Sequence, residues 1–77
     1  MVNEQAVPLS NVSAGKTVKL VSVDAGYGLK SRLTAMGLIP SVQILVINNS
    51  HPGPFVISVK GSRLMLGRGM AQKIMVV

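Results

Sequence analysis

The segment Gly26-Tyr27-Gly28-Leu29-Lys30-Ser31-Arg32-Leu33-Thr34-Ala35-Met36-Gly37-Leu38-Ile39-Pro40 contains the one convincing helix of this 77-residue chain. Leu29, Leu33 and Met36 recur at i, i+4 and i+7, so they share one stripe of a helix. A helix this short is marginal on its own in water. We therefore expect this apolar stripe to pack on a sheet formed by the rest of the chain.

Glycine and proline mark the predicted ends of this helix. Gly28 can open it. Gly37 lies one place past the last apolar position, where a left-handed C-cap favours a residue without a Cβ atom. Pro40 follows three residues later and cannot continue a helix. These three residues are therefore assigned a structural role.

The two basic residues of the helix suggest a contact surface. Lys30 and Arg32 are predicted to lie near the helix N-terminus, where the macrodipole disfavours cations by roughly 0.3–1 kcal/mol each. Local stability does not explain such a placement. The sequence leaves two interpretations open, a solvated helix face and a surface that contacts an acidic partner.

Five predicted strands surround the helix in sequence. The first is rich in β-branched residues and changes its alternation near Leu20-Val21, which indicates a bulge with Val21 among the buried positions. Gly61-Ser62 reads as a two-residue hairpin connection of type II′, which gives Gly61 a structural role. The predicted strands are Thr17–Asp24, Val42–Asn48, Phe55–Lys60, Ser62–Leu66 and Gln72–Val77.

These elements predict a mainly β fold, a small antiparallel barrel of about five strands with one short helix after the first strand. Residues 1–77 form a single domain, and residues 1–7 are expected to be a loose N-terminus. Pro8–Val12 is predicted to form a helical turn with Leu9 and Val12 facing inward, and Gly67–Ala71 a second helical turn.

Composition limits the classes of partner. Lys and Arg number 8 against 2 acidic residues, and the net charge of +6 favours an acidic partner such as nucleic acid, anionic lipid or an acidic protein face. The chain has no cysteine, which fits a reducing cytoplasm. No apolar run approaches the roughly 20 residues of a membrane span, and no signal peptide is visible. We expect a soluble cytoplasmic protein.

The sequence offers few groups for catalysis or for a resident metal ion. Glu4 and Asp24 are the only acidic residues, His51 is the only histidine, and no phosphate-binding loop is present. Metal sites usually take three or more His, Cys, Asp or Glu ligands. We therefore expect neither an enzyme nor a bound cofactor, and His51 is only a weak candidate for a metal ligand.

The motif from Gly28 to Pro40 closely resembles the signature of the FeoA family, small cytoplasmic accessory proteins of bacterial ferrous-iron transport. Pro8-Leu9-Ser10 is similar to the opening motif of that family. Lys60-Gly61-Ser62-Arg63-Leu64-Met65-Leu66 resembles its hairpin between the third and fourth strands, and Met70-Ala71-Gln72-Lys73-Ile74 its turn into the last strand. The resemblance runs from about Pro8 to Val77.

The resemblance implies an SH3-like barrel that interacts with FeoB, the membrane ferrous-iron transporter with a cytoplasmic GTPase domain. The expected contact residues are Lys30 and Arg32 on the helix, Lys60 and Arg63 beside the hairpin turn, and, as the next candidates, an apolar rim at Leu38 and Ile39. A basic nucleic-acid-binding barrel or a metal-dependent regulatory module is the alternative. Two aromatic residues provide little surface for base stacking, so the protein-binding hypothesis is preferred.

Overall fold

Six strands form one antiparallel sheet with the strand order β1-β6-β2-β3-β4-β5. The structure is a computed structural model that describes residues 5–50 and 52–77. Its strands are β1 (Val7–Pro8), β2 (Thr17–Val23), β3 (Gln43–Asn49), β4 (Phe55–Val59), β5 (Ser62–Leu66) and β6 (Ile74–Val76), and its helices are α1 (Tyr27–Ala35) and α2 (Arg68–Ala71). A 3-10 turn over Leu9–Asn11 follows β1.

Strand β3 lies between β2 and β4, which accounts for the apolar residues on both of its faces. Its buried residues Ile44 and Val46, with Val42 just before the strand, form a row that is continuous with the inward positions of β4. Phe55, Ile57 and Val59 are those inward positions, and Phe55 is fully buried. The core is therefore an aliphatic layer around one aromatic ring.

Strand β1 is the sixth strand, which the sequence did not predict. Val7 pairs with Val76 and Pro8 with Met75, so the expectation of a loose segment as far as residue 7 is wrong at Val7. Residues 1–4 lie outside the described part of the chain. A strand of two residues is too short to show a period-two alternation, and its pairing depends on β6, some seventy residues away.

The predicted bulge in β2 is confirmed, but the inward position assigned to Val21 is wrong. The pairing register between β2 and β6 shifts between Leu20 and Ser22. The extra residue turns Val21 away from the core, where it is 43% exposed, while Leu20 and Val23 remain buried. A bulge breaks the strict alternation from which inward positions are deduced.

The hairpin between β4 and β5 has a different turn from the one predicted. Val59 pairs with Ser62, so the connection is Lys60-Gly61 rather than Gly61-Ser62. Both turn residues have positive φ, 52° for Lys60 and 83° for Gly61, which is the pattern of a type I′ turn and not of type II′. Gly61 keeps its structural role one position later in the turn.

Helix α1 begins earlier than the sequence suggested. Gly26 is the extended N-cap residue, and Gly28 lies inside the first turn instead of opening the helix. Lys30 N–H bonds to the Gly26 carbonyl oxygen at 3.0 Å. The cap contributes no side-chain hydrogen bond, so this end of the helix is held by backbone contacts alone.

The C-terminal end of α1 is a Schellman motif with Gly37 in the left-handed region. Its φ is 96°, in the left-handed region that the sequence predicted for this residue. Leu38 N–H donates to the Leu33 carbonyl oxygen and Gly37 N–H to that of Thr34, each at 3.0 Å. This reversal directs Leu38, which is 1% exposed, into the core, whereas Met36, the predicted third member of the buried stripe, is 42% exposed.

The side chain of Asn49, at the end of β3, connects distant segments. Its Nδ2 atom donates to the carbonyl oxygens of Ser10 at 3.1 Å and Val12 at 2.7 Å. Its Oδ1 atom accepts a bond from Nη1 of Arg68 at 2.7 Å. The same guanidinium bonds to the Ser50 carbonyl oxygen through Nη2 and lies 5.8 Å from the centre of the Phe55 ring.

We predict that Gly37→Ala lowers the free energy of unfolding by about 1–2 kcal/mol, because a Cβ atom is strained at positive φ. A Cβ at this position would meet only Val59 Cγ1 at 3.9 Å, so the loss measures backbone strain and not a clash. Gly28→Ala is the matched control: it lies within α1 in open space and should be neutral or stabilising, by up to about 1 kcal/mol. Urea denaturation measures both, and equal midpoints would contradict the assignment.

We predict that Asn49→Ala costs about 1–3 kcal/mol of unfolding free energy, because it removes the hydrogen-bond partner of the Ser10 and Val12 carbonyl groups and of Arg68. Asn48→Ala serves as the control. Its amide donates at 3.1 Å to the Pro54 carbonyl oxygen in an exposed loop, so the expected loss is about 0.5 kcal/mol. Chemical denaturation of both variants measures the difference, and an equal loss would assign Asn49 no special role.

Candidate functional site

Helix α1 leaves most of its surface exposed. Only Leu33 is buried and Leu29 half-buried, and the other residues of the helix are exposed. Tyr27, in the first turn, is 86% exposed and is the most exposed of the large apolar residues in the described chain. A short helix that contributes so little to the core leaves its remaining surface accessible to solvent and to other molecules.

A groove runs between α1 and β2, and we call it the helix groove. It is lined by Leu20, Val21, Ser22, Val23, Lys30, Thr34, Leu38 and Pro40. Its lining is predominantly apolar, with Lys30 as the one charged side chain. The Thr34 hydroxyl donates to the Lys30 carbonyl oxygen at 2.9 Å, so it already has a partner within the helix.

Lys30 occupies a ridge between the helix groove and a second, shallow depression on the outer side of α1. That depression is lined by Tyr27, Lys30, Ser31, Thr34 and Ala35. The Lys30 side chain is exposed, so its ammonium can reach a ligand in either depression. Among the sequence-predicted contact residues, Lys30 and Leu38 line the helix groove, and Lys30 is the charged one.

Arg32 lies on a different side of the helix from Lys30. Two residues along an α-helix correspond to a rotation of about 200°, and Arg32 lines neither depression. Arg32 is also in the last turn of α1, where the macrodipole favours a cation. The expectation that its position is electrostatically costly is therefore wrong, because the helix starts at Tyr27 and is only nine residues long.

Lys60 and Arg63 do not face each other across the hairpin. Lys60 is a turn residue, and Arg63 pairs with Ser58. The predicted turn at Gly61-Ser62 would have placed these two cations directly opposite each other, but the observed turn lies one residue earlier and separates them. The hairpin end is nevertheless close to the C-terminus of α1, where Gly37 approaches Val59.

The predicted apolar rim is reduced to one exposed residue. Ile39 is 39% exposed, but Leu38 is buried by the Schellman motif and contributes to the helix groove from below. The sequence missed two exposed residues beside this site, Val21 and Tyr27. The change in apolar alternation near Leu20-Val21 could have indicated that Val21 is exposed. Nothing in the sequence indicated that Tyr27 is exposed.

The structure offers no aromatic platform for nucleic-acid bases in the described residues. Phe55 is fully buried beneath the Arg68 guanidinium. Tyr27 is thus the one exposed ring in this part of the chain, and base stacking generally uses several aromatic side chains.

No group of three or more potential metal ligands occurs among residues 5–50 and 52–77. Asp24, the one acidic side chain in those ranges, is exposed. His51, the weak metal candidate from the sequence, and Glu4 lie outside the described residues. Within the same ranges no helix is long and apolar enough to cross a membrane.

The sheet of six short antiparallel strands, with the nine-residue helix α1 and the single turn of α2, defines a small domain of the SH3-like class. The chain belongs to the FeoA domain family, whose characteristic sequence pattern matches residues 7–77. The family resemblance seen in the helix and hairpin motifs is thereby confirmed.

Individual relatives agree with this assignment. A protein of Methanocaldococcus jannaschii, assigned by inference as Fe(2+) transport protein A, is 44% identical over 69 residues, which cover 90% of this chain and 83% of the relative. A crystal structure of an iron uptake regulatory protein, FeoA, has a TM-score of 0.85 at 36% identity, covering 94% of this chain and 96% of that one. Stenotrophomonas maltophilia FeoA, solved with zinc and described as a procaryotic SH3 domain protein, shares the fold with a TM-score of 0.79 at 19% identity, over 96% and 91% of the two chains.

We predict that the isolated chain has no tight stoichiometric site for ferrous iron, because three suitable ligands do not come together in the described residues. Anaerobic calorimetry with Fe²⁺ should give no transition of micromolar or better affinity. A single site of that affinity would contradict the prediction. His51→Ala, compared with Asp24→Asn, would then show which ligand contributes.

Proposed function

We propose that this chain is an accessory protein of ferrous iron transport that acts by binding the cytoplasmic portion of the transporter FeoB, and not by catalysis. Membership of the FeoA family and the iron-transport and iron-uptake names of its relatives support the transport role. The partner is the one that the family resemblance implies. The accessory role requires a surface that recognises another protein.

The helix groove is the observation that carries this proposal. Its floor is apolar, with the buried side chains of Leu20 and Leu38 beneath the partly exposed Val21. Lys30 stands at its edge. Such an arrangement fits an apolar side chain of a partner in the groove, with a carboxylate placed next to the lysine ammonium.

The charge of the chain supports an acidic face on the partner. The net charge is +6, and the described part of the chain carries a single acidic side chain, Asp24. Long-range attraction of this kind accelerates the encounter and decreases as salt is added. The apolar contact in the groove depends little on salt, so the two contributions separate in a salt series.

We predict that Lys30→Glu weakens binding to detergent-solubilised FeoB roughly three- to tenfold at low salt, mainly through a slower association rate. Arg32→Glu changes the net charge equally but lies on another side of α1, so its effect should be distinctly smaller. Surface plasmon resonance at several salt concentrations measures both rates.

Two outcomes would show that binding does not depend on the helix groove. Equal losses for the two variants would mean that net charge, and not the helix groove, determines binding. Unchanged affinity for both, with each protein folded by circular dichroism, would place the contact elsewhere on the chain. Val21→Asp tests the apolar floor separately and should weaken binding at both low and high salt.

A further inference from the structure

The two edge strands of the sheet differ in how well they are protected. Strand β1 has two residues, one of which is Pro8. Strand β5 has five residues without proline, and its register with β4 is regular over all five pairs, without a bulge. Natural edge strands are usually short, bulged or blocked by proline or charge. With Arg63 as its one charged residue and with neither proline nor a bulge, β5 is the less protected of the two edges.

The pairing with β4 determines which backbone groups of β5 point outward. Val59 and Ser62 flank a two-residue turn and therefore form a hydrogen-bonded pair. Bonded and non-bonded pairs alternate in an antiparallel ladder. Arg63 and Met65 consequently lie at non-bonded positions, and their N–H and C=O groups point away from β4.

The pairing of β4 with β3 leads independently to the same orientation of the Arg63 backbone groups. Val46 N–H donates to the Lys16 carbonyl oxygen at 2.9 Å, so the backbone of Val46 is directed toward β2. Its neighbour Leu45 must then be directed toward β4, where it pairs with Ser58. Ser58 is therefore bonded to β3 and not to Arg63, which leaves the Arg63 backbone groups at the open edge.

The side chains along this edge are as accessible as its backbone. Met65 is 71% exposed, although methionine is apolar. Arg63 is exposed, and so is Lys60 in the adjoining turn. Within residues 5–50 and 52–77, no other strand pairs with the outer side of β5.

We propose that the outer edge of β5 binds an extended, acidic segment of a partner protein, which adds to the sheet as a seventh strand. The N–H and C=O groups of Arg63 and Met65 supply two pairs of backbone hydrogen bonds. Arg63 and Lys60 contact carboxylates on one face of the added strand, and its β-branched residues lie on the other face, beside Leu64 and Leu66. A second copy of this chain fits the edge poorly, because two molecules of net charge +6 repel each other.

This surface shares no residue with the helix groove, so the proposal does not depend on the proposed contact with FeoB. Backbone recognition accounts for affinity here, and the alternation of side chains along the added strand accounts for selectivity. The expected ligand therefore has acidic and β-branched residues in alternation.

The test uses a synthetic probe, the capped peptide Glu-Val-Asp-Val-Glu-Val, and the isotopically labelled full chain at low salt. Titration should shift the backbone amide resonances of Arg63 and Met65 and slow their hydrogen exchange. The same peptide with alternate amides methylated cannot form the ladder and should bind at least roughly tenfold more weakly. A peptide with lysine in place of each acidic residue should also bind at least roughly tenfold more weakly.

Met65→Pro is the decisive variant, because it removes an outward N–H group without removing a bond to β4. We expect at least a roughly tenfold loss of probe affinity, whereas Met65→Leu, which keeps the N–H and the apolar surface, should bind within about twofold of the wild type. Backbone chemical shifts confirm the fold of each variant. The methylated peptide tests the same interaction on the wild-type protein should Met65→Pro fail to fold.

Three results would overturn the proposal. The first is shift changes confined to the helix groove. The second is equal affinity for the methylated and unmethylated peptides. The third is self-association of the wild type through β5, detected by sedimentation and abolished by Met65→Pro, which would identify a second copy as the occupant of the edge.

Discussion

The side-chain amide of Asn49 joins three segments that the backbone ladder leaves separate. In the strand order, β1 and β5 lie at opposite ends of the sheet, so hydrogen bonds between strands do not hold the N-terminal turn against α2. The amide bonds to Ser10 and Val12 on one side and to Arg68 on the other. Because Arg68 also covers the ring of Phe55, the position of this one amide couples the closure of the barrel to the packing of its largest core residue.

The helix groove results from two backbone irregularities that the core fixes in place. The bulge in β2 turns Val21 outward, and the Schellman motif turns Leu38 inward. Both side chains line the groove, one as part of its exposed wall and one from below. The groove is therefore built on strand β2 and on the core residue Leu38, although α1 itself buries little.

The sequence was most informative where a local backbone conformation requires a particular type or pattern of residue. Gly37 was identified correctly because few residues adopt a left-handed cap, and the strands β3 and β4 because their alternation is regular. Tertiary contacts determined the rest. Pairing with β6 creates β1, and the reversal after α1 buries Leu38 in place of Met36. The hairpin turn moved by one residue because two positive φ angles at Lys60 and Gly61 form a turn that matches strand twist.

Of the four basic residues predicted as contacts, only Lys30 lines the helix groove, and the reason is geometric. Arg32 was grouped with Lys30 by proximity in sequence, but helical periodicity separates them. Lys60 and Arg63 were grouped by an assumed turn, and the true register separates those as well. Charge composition could indicate an acidic partner, but it could not indicate which side of the molecule the partner meets.

The basic residues are too widely distributed for charge alone to orient a partner on this molecule. Lys16, Lys19, Lys30 and Lys73 are exposed on different elements, so attraction for an acidic molecule acts over much of the surface. Such a field increases encounter rates without selecting an orientation. Arg68 differs, since its guanidinium is engaged by Asn49 and Phe55 and serves the fold. In the two contacts that we propose, charge is combined with a directional feature, an apolar groove at Lys30 and an open row of backbone groups at Arg63.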